Sequence, residues 1–330
     1  MSIHSRLGKG LAAGLIAAGL ALTAGVAAAQ DKVRVALGDV VSDENLAFLI
    51  ALERAKERGL DYELTSFAEE ELAVQAIIAG QSDIGIGTPY AVIQKTKVPL
   101  RIVFQFSTLV FYPVVSNEYQ TWKDLDGQPF TFHGRGSGTE AIGEVIAQRE
   151  GISFGERSYV PGSGNRVVAL LNGTIKATIL DLANKNKIMA EAGDRFHVLP
   201  TPDEHATDEA VFASEDWLTN HSDQANLLVE EMLKLWREMN ADPSIIAKER
   251  EARGLIADQP AEVIDGLTAY YTEATQEGVY PAEGGSEVAA KADFEFYTIA
   301  GQLEGSPDEL MVEDFWNLGP LEAARKALGG

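Results

Sequence analysis

The stretch Ala73-Val-Gln-Ala-Ile-Ile-Ala-Gly-Gln-Ser-Asp-Ile-Gly-Ile-Gly87 carries an apolar helix into a buried strand. Residues 69–79 predict the helix, whose acidic start suits the positive end of the helix dipole, and Gly80 ends it. Residues 83–88 predict the strand, because isoleucine alternates with glycine there. One helix followed by one buried strand is half of a repeating β-α unit.

The chain on either side of this stretch repeats the same alternation. Residues 33–37 and 62–67 predict two earlier strands, and residues 45–58 predict a helix between them that stops at Gly59. Two more strands are predicted over residues 100–106 and 110–116. This β-α-β-α-β order predicts a parallel sheet with helices on its faces.

A second α/β unit begins near Trp122. Strands are predicted at residues 129–133, 178–181 and 196–199, and helices at residues 139–149, 165–171 and 182–192. Residues 211–214 predict a short strand that returns to the first unit. The sequence therefore predicts an α/β protein of two lobes with a hinge and a ligand cleft between them. Lobe I comprises residues 30–115 and 207–330, and lobe II comprises residues 116–206.

The amino-acid composition excludes several classes of partner and of chemistry. The 330 residues are 45% hydrophobic, and 27 basic residues face 50 acidic ones, for a net charge of −23. Such a surface repels phosphate backbones and anionic lipids, so nucleic-acid and membrane-surface partners are not expected. Residues 206–330 alone carry 26 acids and 8 bases, which predicts a solvated acidic surface or a docking face. The absence of cysteine excludes disulfides and thiolate chemistry.

Residues 1–29 have the pattern of a cleavable signal peptide. Arg6 and Lys9 precede an apolar run over residues 11–26, and three alanines then precede Gln30. The alternative is an uncleaved membrane anchor, for which a run of about sixteen small and apolar residues is short. The pattern therefore predicts export to a bacterial periplasm.

The glycine-rich loop Gly134-Arg-Gly-Ser-Gly-Thr-Glu140 is the strongest candidate site. It follows a predicted strand and opens a helix, where backbone N–H groups bind anions. Ser137, Gly138 and Thr139 are expected to hold a carboxylate, a sulfonate or a similar group. Either Arg135 or Arg166 clamps that group, or both arginines are solvated. The alternative is a helix start that is merely capped.

Other candidates follow the predicted strands of both lobes. Asp39 and Asp43 follow the first strand; they either lie at an exposed helix start or present carboxylates to a ligand ammonium group. Asp181 caps a helix or bonds the ligand. The remaining candidates are expected to line the cleft wall, with a place in the core as the alternative for the tyrosines: Thr88, Tyr90 and Tyr112.

No catalytic or metal-binding pattern is visible. The histidines after the signal peptide lack metal-ligand spacing, and Ser137 does not lie in a G-x-S-x-G turn. A pairing of Ser137 with His133 has nothing to orient the base. We therefore expect no enzyme activity, no cofactor and no metal.

The order of several motifs resembles a known family. Gly38 precedes a helix, and residues 73–87 follow as quoted. Trp122-Lys-Asp-Leu-Asp-Gly127 enters the second unit, and Leu171-Asn-Gly-Thr174 precedes a strand. With the glycine-rich loop, this order resembles the nitrate/sulfonate/taurine-type solute-binding proteins of ABC importers, a group that includes binders of thiamine-pyrimidine precursors. The resemblance spans residues 33–240.

This resemblance implies a type II periplasmic binding protein fold that captures a small solute and delivers it to ABC permease subunits in the inner membrane. It places ligand contacts after the strands of both lobes, at Gly38, Asp39, Asp43, Thr88, Tyr90, Ser137, Thr139 and Asp181. The acidic first loop disfavours nitrate, so the implied ligand is an organic acid, a sulfonate, a zwitterion or a ring compound. A monomer is expected. The alternatives are a sensor or scavenger, a TRAP-type receptor, and an enzyme on the same scaffold.

Overall fold

The computed structural model describes residues 32–96, 99–201 and 206–329. The predicted signal peptide lies outside the described residues. Within those three ranges, no helix combines the length and the apolar character that crossing a membrane requires.

Ten strands occur in the described chain. They are β1 Val33–Leu37, β2 Tyr62–Ser66, β3 Ile84–Gly87, β4 Leu100–Gln105, β5 Tyr112–Ser116, β6 Phe130–Phe132, β7 Arg157–Tyr159, β8 Ala177–Leu180, β9 Phe196–Val198 and β10 Ala210–Ser214. They form two five-stranded sheets, with orders β2-β1-β3-β10-β4 and β7-β6-β8-β5-β9. We call the first sheet with its helices the first lobe, and the second sheet with its helices the second lobe.

Thirteen α-helices connect or follow these strands in the described residues. They are α1 Leu46–Glu57, α2 Glu70–Ile78, α3 Tyr90–Thr96, α4 Gly138–Glu150, α5 Ser163–Leu171, α6 Leu182–Ala192, α7 Glu215–Asn220, α8 Ser222–Ala241, α9 Ser244–Arg253, α10 Ala261–Gln276, α11 Glu287–Ile299, α12 Val312–Phe315 and α13 Gly319–Ala327. Two short 3₁₀ helices cover Trp122–Leu125 and Pro307–Glu309. Seven of these helices, α7 to α13, lie in the acidic C-terminal third of the chain.

The first sheet is mixed, and the expectation of a wholly parallel sheet is wrong. Strand β1 runs parallel to β2 and β3. Strand β10 lies between β3 and β4 and is antiparallel to both. It returns from the second lobe, so it enters the sheet from the opposite direction to the strands of the β-α units.

The second sheet repeats this plan. Strand β6 is parallel to β7 and β8, whereas β5 is antiparallel to β8 and β9. The predicted assignment of residues 112–115 to lobe I is therefore wrong, because β5 pairs only within the second sheet of the described structure. The chain crosses to the second lobe before Tyr112, which the apolar pattern of this segment could not reveal.

Two crossover segments join the lobes, and their described residues are 106–111 in the first and 199–201 and 206–209 in the second. They run side by side, with Thr108 and Thr207 forming an antiparallel bridge. The Leu109 N–H donates to Ala206 O at 2.9 Å, and the Asp208 N–H donates to Ser107 O at 2.9 Å. This paired connection is the hinge that a two-lobed arrangement requires.

Aromatic packing fixes the first crossover against the core of the first lobe. The ring of Trp236 in α8 packs edge-on against Phe104 and Phe106, each at 5.5 Å between ring centroids. Its indole N–H donates to Phe106 O at 3.0 Å. Phe48 of α1 closes the same cluster. The segment that enters the hinge is therefore held firmly where it leaves β4.

Candidate functional site

A cavity of about 760 Å³, counting its open mouth, lies between the two sheets beside the hinge. Both lobes and both crossovers contribute side chains to it. Its most unusual feature is its charge, because six carboxylates line it: Asp39, Glu44, Glu70, Asp181, Asp208 and Glu209. Arg166 and His133 are the basic side chains on its wall.

Burial, with repulsion from neighbouring acids, raises the pKa values of five of these acids: Asp39, Glu44, Glu70, Asp208 and Glu209. Burial is the main cause that raises the pKa of Glu70 to about 7, with the charge of Asp39 adding to it. Burial, together with the neighbouring Glu70 and Asp208 charges, raises the pKa values of Asp208 and Glu209 well above the ordinary range. The cleft is therefore a region that disfavours further negative charge.

Glu44 and Asp181 face each other from opposite lobes. Glu44 is half-buried just before α1, and its Oε1 atom is shielded from solvent and has no hydrogen-bond partner in the described structure. The Asp181 carboxylate lines the same cavity from the second lobe. Burial first, and Asp181 second, raise the pKa of Glu44 well above its usual value.

Asp181 is itself fixed by helix capping. Its Oδ1 accepts the Asn184 N–H at 2.8 Å, and the Asn184 side-chain amide donates to its Oδ2 at 2.9 Å. The N-cap predicted from the sequence is confirmed. The same carboxylate lines the cavity, so capping fixes the position of one acid of the cavity wall.

Arg166 is 1% exposed, and its hydrogen bonds go to its own lobe. It donates to Ile179 O at 3.2 and 3.1 Å, to Val160 O at 2.9 Å and to Ser163 Oγ at 2.7 Å. Burial lowers its pKa to about 10, which leaves it charged at neutral pH. This guanidinium joins α5 to β8 and does not present an open fork to an anion.

His133 supplies a neutral hydrogen-bond donor. Burial, followed by the charge of Arg166, lowers the pKa of His133 to about 4. Its Nδ1 accepts the Gly162 N–H at 3.4 Å, so the proton of the neutral ring is placed on Nε2. Nε2 is buried in the cavity wall without a partner in the described structure.

The start of α4 uses its polar groups internally. The Ser137 hydroxyl donates to Gly134 O at 2.8 Å, and the Gly136 N–H donates to Glu140 Oε2 at 2.7 Å. A Cβ on Gly138 would lie 2.5 Å from Asp208 Oδ1, which shows how closely that carboxylate approaches the helix. Two of the protein's own carboxylates therefore lie where the sequence predicts an anionic ligand group.

Five of the eleven predicted site residues line the cavity: Asp39, Ser137, Gly138, Thr139 and Asp181. They come from three segments of the two lobes, and the structure brings them together as the strand-end argument predicts. Their contact with a ligand stays a prediction.

Tyr90 does not line the cavity, and the prediction of a cleft-wall role is wrong. Its ring is fully buried and stacks on Tyr297 at 4.8 Å, and its hydroxyl donates to Asp293. The Trp316 indole N–H donates back to the Tyr90 oxygen at 2.9 Å. Helix α3 turns this residue inward, into the core between α11 and α12.

Gly38 and Asp43 also have roles outside the cavity wall. A Cβ on Gly38 would lie 2.6 Å from Ile86 O, so the absence of a side chain allows β1 to end closely against β3. Asp43 accepts the Tyr271 hydroxyl through its backbone oxygen at 2.7 Å.

Thr88, Tyr112 and Arg135 lie beside the cavity. The Thr88 hydroxyl donates to Asp208 O at 2.9 Å and so supports the wall from behind. Tyr112 packs under Lys185, whose Nζ is 4.5 Å from the ring centroid. Arg135 is exposed and stacks on Tyr159 at 4.5 Å.

Sequence reasoning missed most of the acidic wall. The position of Glu70 in the sequence indicates only a favourable start of α2, and Asp208 and Glu209 fall in an acidic third that predicts a solvated surface. The aromatic side chains on the wall are Phe106, Phe111, Tyr270 and Tyr280. The sequence singles out Phe111 among them, as the neighbour of Tyr112. No group of acidic and histidine side chains in the described residues has the placement that holds a metal ion.

Comparison with known proteins agrees with this geometry. The family model described as NMT1/THI5 like matches residues 48–245. No curated protein sequence matches the chain. The similar solved structures share its fold at low sequence identity.

Three of these structures illustrate the fold. The periplasmic nitrate-binding protein of Synechocystis has a TM-score of 0.71 at 13% identity, over 90% of this chain and 89% of that one. The ligand-binding component of an ABC-type import system from Staphylococcus aureus has a TM-score of 0.63 at 16% identity, over 89% and 99%. A Candida albicans protein with the generic periplasmic binding protein fold has a TM-score of 0.66 at 14% identity, over 89% and 96%. The predicted fold class is confirmed.

Proposed function

The chain belongs to the NMT1/THI5-like family, and from this premise we propose that it is the substrate-binding component of an ABC importer. In this proposal the open cleft captures a small organic solute outside the inner membrane. The lobes then close on the solute about the paired crossovers, and the closed form is recognised by the permease.

The observation that carries this proposal is that both lobes contribute residues to the cavity wall. Asp39, Glu44 and Glu70 come from the first lobe, Ser137 and Asp181 come from the second, and residues of both crossovers join them. A solute that touches all of these groups binds better to the closed arrangement than to an open one. Differential affinity of this kind is what lets a ligand drive closure.

Three further features support the proposal. The pattern of residues 1–29 predicts export, which would place the protein beside an inner-membrane permease. The similar structures include a nitrate-binding protein and a component of an ABC-type import system. In the described structure the Ser137 hydroxyl donates to Gly134 O and His133 Nδ1 accepts the Gly162 N–H, so both groups serve the wall of the cleft.

Retention of a solute from a cell extract tests the proposal for a ligand of any chemical class. The purified protein is mixed with a small-molecule extract of the cells that make it, dialysed and denatured, and the released compounds are identified by mass spectrometry. We expect at least one compound to be enriched in a one-to-one ratio to the protein.

A matched pair of variants locates the binding. Ser163→Tyr places a large ring in the cavity wall at the start of α5, whereas Val168→Tyr adds the same ring at a 55% exposed position of that helix. We expect Ser163→Tyr to lose retention and Val168→Tyr to keep it, with both variants folded by circular dichroism. Retention that survives Ser163→Tyr, or no retained compound with the wild type, would contradict the proposal.

A further inference from the structure

The wall of the cleft carries many more acidic groups than basic groups. Six carboxylates line it, and the arginine on its wall directs its hydrogen bonds to Ile179 O, Val160 O and Ser163 Oγ. An anionic solute would have to lie beside these carboxylates at low effective dielectric, which is strongly unfavourable. A cationic solute would instead gain a buried counter-charge.

Glu44 and Asp181 indicate where in the cleft the positive charge of such a solute would bind. Both line the cavity, Glu44 from the first lobe and Asp181 from the second, and the charge of Asp181 helps to raise the pKa of Glu44. Two deprotonated carboxylates only accept hydrogen bonds, so a solute that touches both must offer them a donor. The shielded Oε1 of Glu44, which has no partner in the described residues, is an independent sign that this position awaits a donor.

We infer that the solute carries a positively charged donor group, an ammonium or an amidinium, that binds between Glu44 of the first lobe and Asp181 of the second. This inference rests on the proposed function and names its substrate class. It also supplies a physical reason for closure, because the two carboxylates repel each other across the open cleft and are drawn together by a cation.

The rest of the wall suits the body of such a solute. Phe111 and Tyr270 offer aromatic surface, on which a cation or a flat ring packs favourably. The Nε2–H of His133 is the neutral donor available to an acceptor atom on the solute. A sulfonate or carboxylate head has no comparable place, because Asp208 and Glu140 already lie at the start of α4.

A set of probes that differ only in charge tests this inference. Benzamidinium, benzamide and benzoate are titrated into the mature protein by calorimetry at pH 7.5 and low salt. We expect benzamidinium to bind at least tenfold tighter than benzamide, and benzoate to bind least. Benzoate binding as tight as benzamidinium would overturn the cationic class and leave the proposed function standing.

If none of the three probes binds, the compound retained from the cell extract decides. A cationic compound supports the inference. An anionic or neutral compound overturns it, although the protein remains a solute binder. No retained compound overturns the proposed function, and this inference falls with it.

Isosteric variants test the position of the charge. Glu44→Gln and Asp181→Asn each remove one charge, and asparagine preserves the cap of α6. We expect each to weaken binding of the cation, whether benzamidinium or the retained compound, by about tenfold to a hundredfold. Glu63→Gln, at an exposed position of β2, is the charge-matched control and should bind as the wild type does. Wild-type affinity in folded Glu44→Gln and Asp181→Asn would overturn the inference.

Discussion

Two buried acidic regions of this protein differ in how their carboxylates are satisfied. At the hinge, Asp293 is 0% exposed and accepts the Thr207 N–H at 2.6 Å, the Thr207 hydroxyl at 2.8 Å and the Tyr90 hydroxyl. In the cleft, Glu44 has an oxygen that is shielded from solvent and accepts nothing from the described residues. Both carboxyls have pKa values raised mainly by burial, that of Asp293 to about 7.

The difference separates a structural acid from a binding acid. The Asp293 carboxyl has its hydrogen-bonding capacity satisfied by three donors from its own chain. These bonds hold the second crossover against α11 and α3. A carboxyl left without a donor lowers the stability of the ligand-free protein unless a proton completes it. Charge alone does not distinguish the two, because both regions are acidic.

The largest expected effect is on the hinge. Asp293→Ala removes the acceptor for three buried donors, so we expect the free energy of unfolding to fall by about 3 kcal/mol or more. Urea denaturation at pH 7 measures it. Asp293→Asn keeps one acceptor oxygen and should lose clearly less. A loss below about 0.5 kcal/mol in the alanine variant would remove the contrast between hinge and cleft.

The pH dependence of stability should be the next largest effect. The pKa of Glu70 rises from 4.5 to about 7 on folding, so the folded state keeps a proton that the unfolded chain releases. The stabilisation that this proton on Glu70 provides is therefore complete below about pH 4.5 and is lost as the pH rises toward 7. The raised pKa values of Asp293, Asp208 and Glu209 change the stability in the same direction.

His133 opposes this trend as the neutral base of the cavity wall, because its pKa falls from 6.5 to about 4. We expect the several acids to outweigh it, so that the melting temperature of the ligand-free protein declines between pH 5 and pH 7. Differential scanning calorimetry over that range measures the decline. A melting temperature that climbs steadily over the same interval would show that the cleft acids are not strained.

A smaller gain in stability is expected from relieving one cleft acid. Glu70→Gln removes a charge that faces Asp39 and Asp208, and its amide oxygen can still accept the Thr88 N–H, now made at 2.8 Å. We expect the ligand-free variant to gain about 1 kcal/mol at pH 8 and to show a flatter pH profile. The exposed Glu63→Gln substitution is the control. A loss of stability in Glu70→Gln would mean that the Glu70 carboxylate is already satisfied by its own hydrogen bonds in the ligand-free protein.

The smallest expected effect concerns Arg135 in the glycine-rich loop. Arg135 is exposed and stacks on Tyr159, so Arg135→Ala should change stability by less than about 0.5 kcal/mol and solute affinity by less than twofold. A tenfold loss of solute affinity in this variant would show that the cleft extends to the outer face of the glycine-rich loop.

Local patterns in the sequence predict most of the elements. Helix α6 occupies residues 182–192 as predicted, because Asp181 caps its start and apolar residues repeat along it. Gly151 ends α4 in the left-handed conformation, at a φ of 61°. The sheet to which β5 belongs could not be predicted, because a short apolar strand can pair in either sheet. The position of the crossover before Tyr112 determines that it joins the second sheet.

The site is harder to predict because its chemistry is assembled from distant segments. Ser137 and Asp181 follow strands, and the strand-end argument finds them. Glu70 begins a helix and Asp208 lies in a crossover, so each carries an ordinary local explanation. Only the folded chain places their carboxylates on the wall of one cavity, and the inference of a cationic solute rests on that arrangement.

Closure on a bound solute is the central claim, and the distance between the lobes tests it most directly. The chain has no cysteine, so Leu72→Cys on α2 and Val168→Cys on α5, both at exposed positions, accept spin labels specifically. Pulsed electron paramagnetic resonance then measures their separation with and without the compound retained from the cell extract. The account predicts a shorter and narrower distance distribution when the compound is bound. An unchanged distribution in the saturated protein would contradict it.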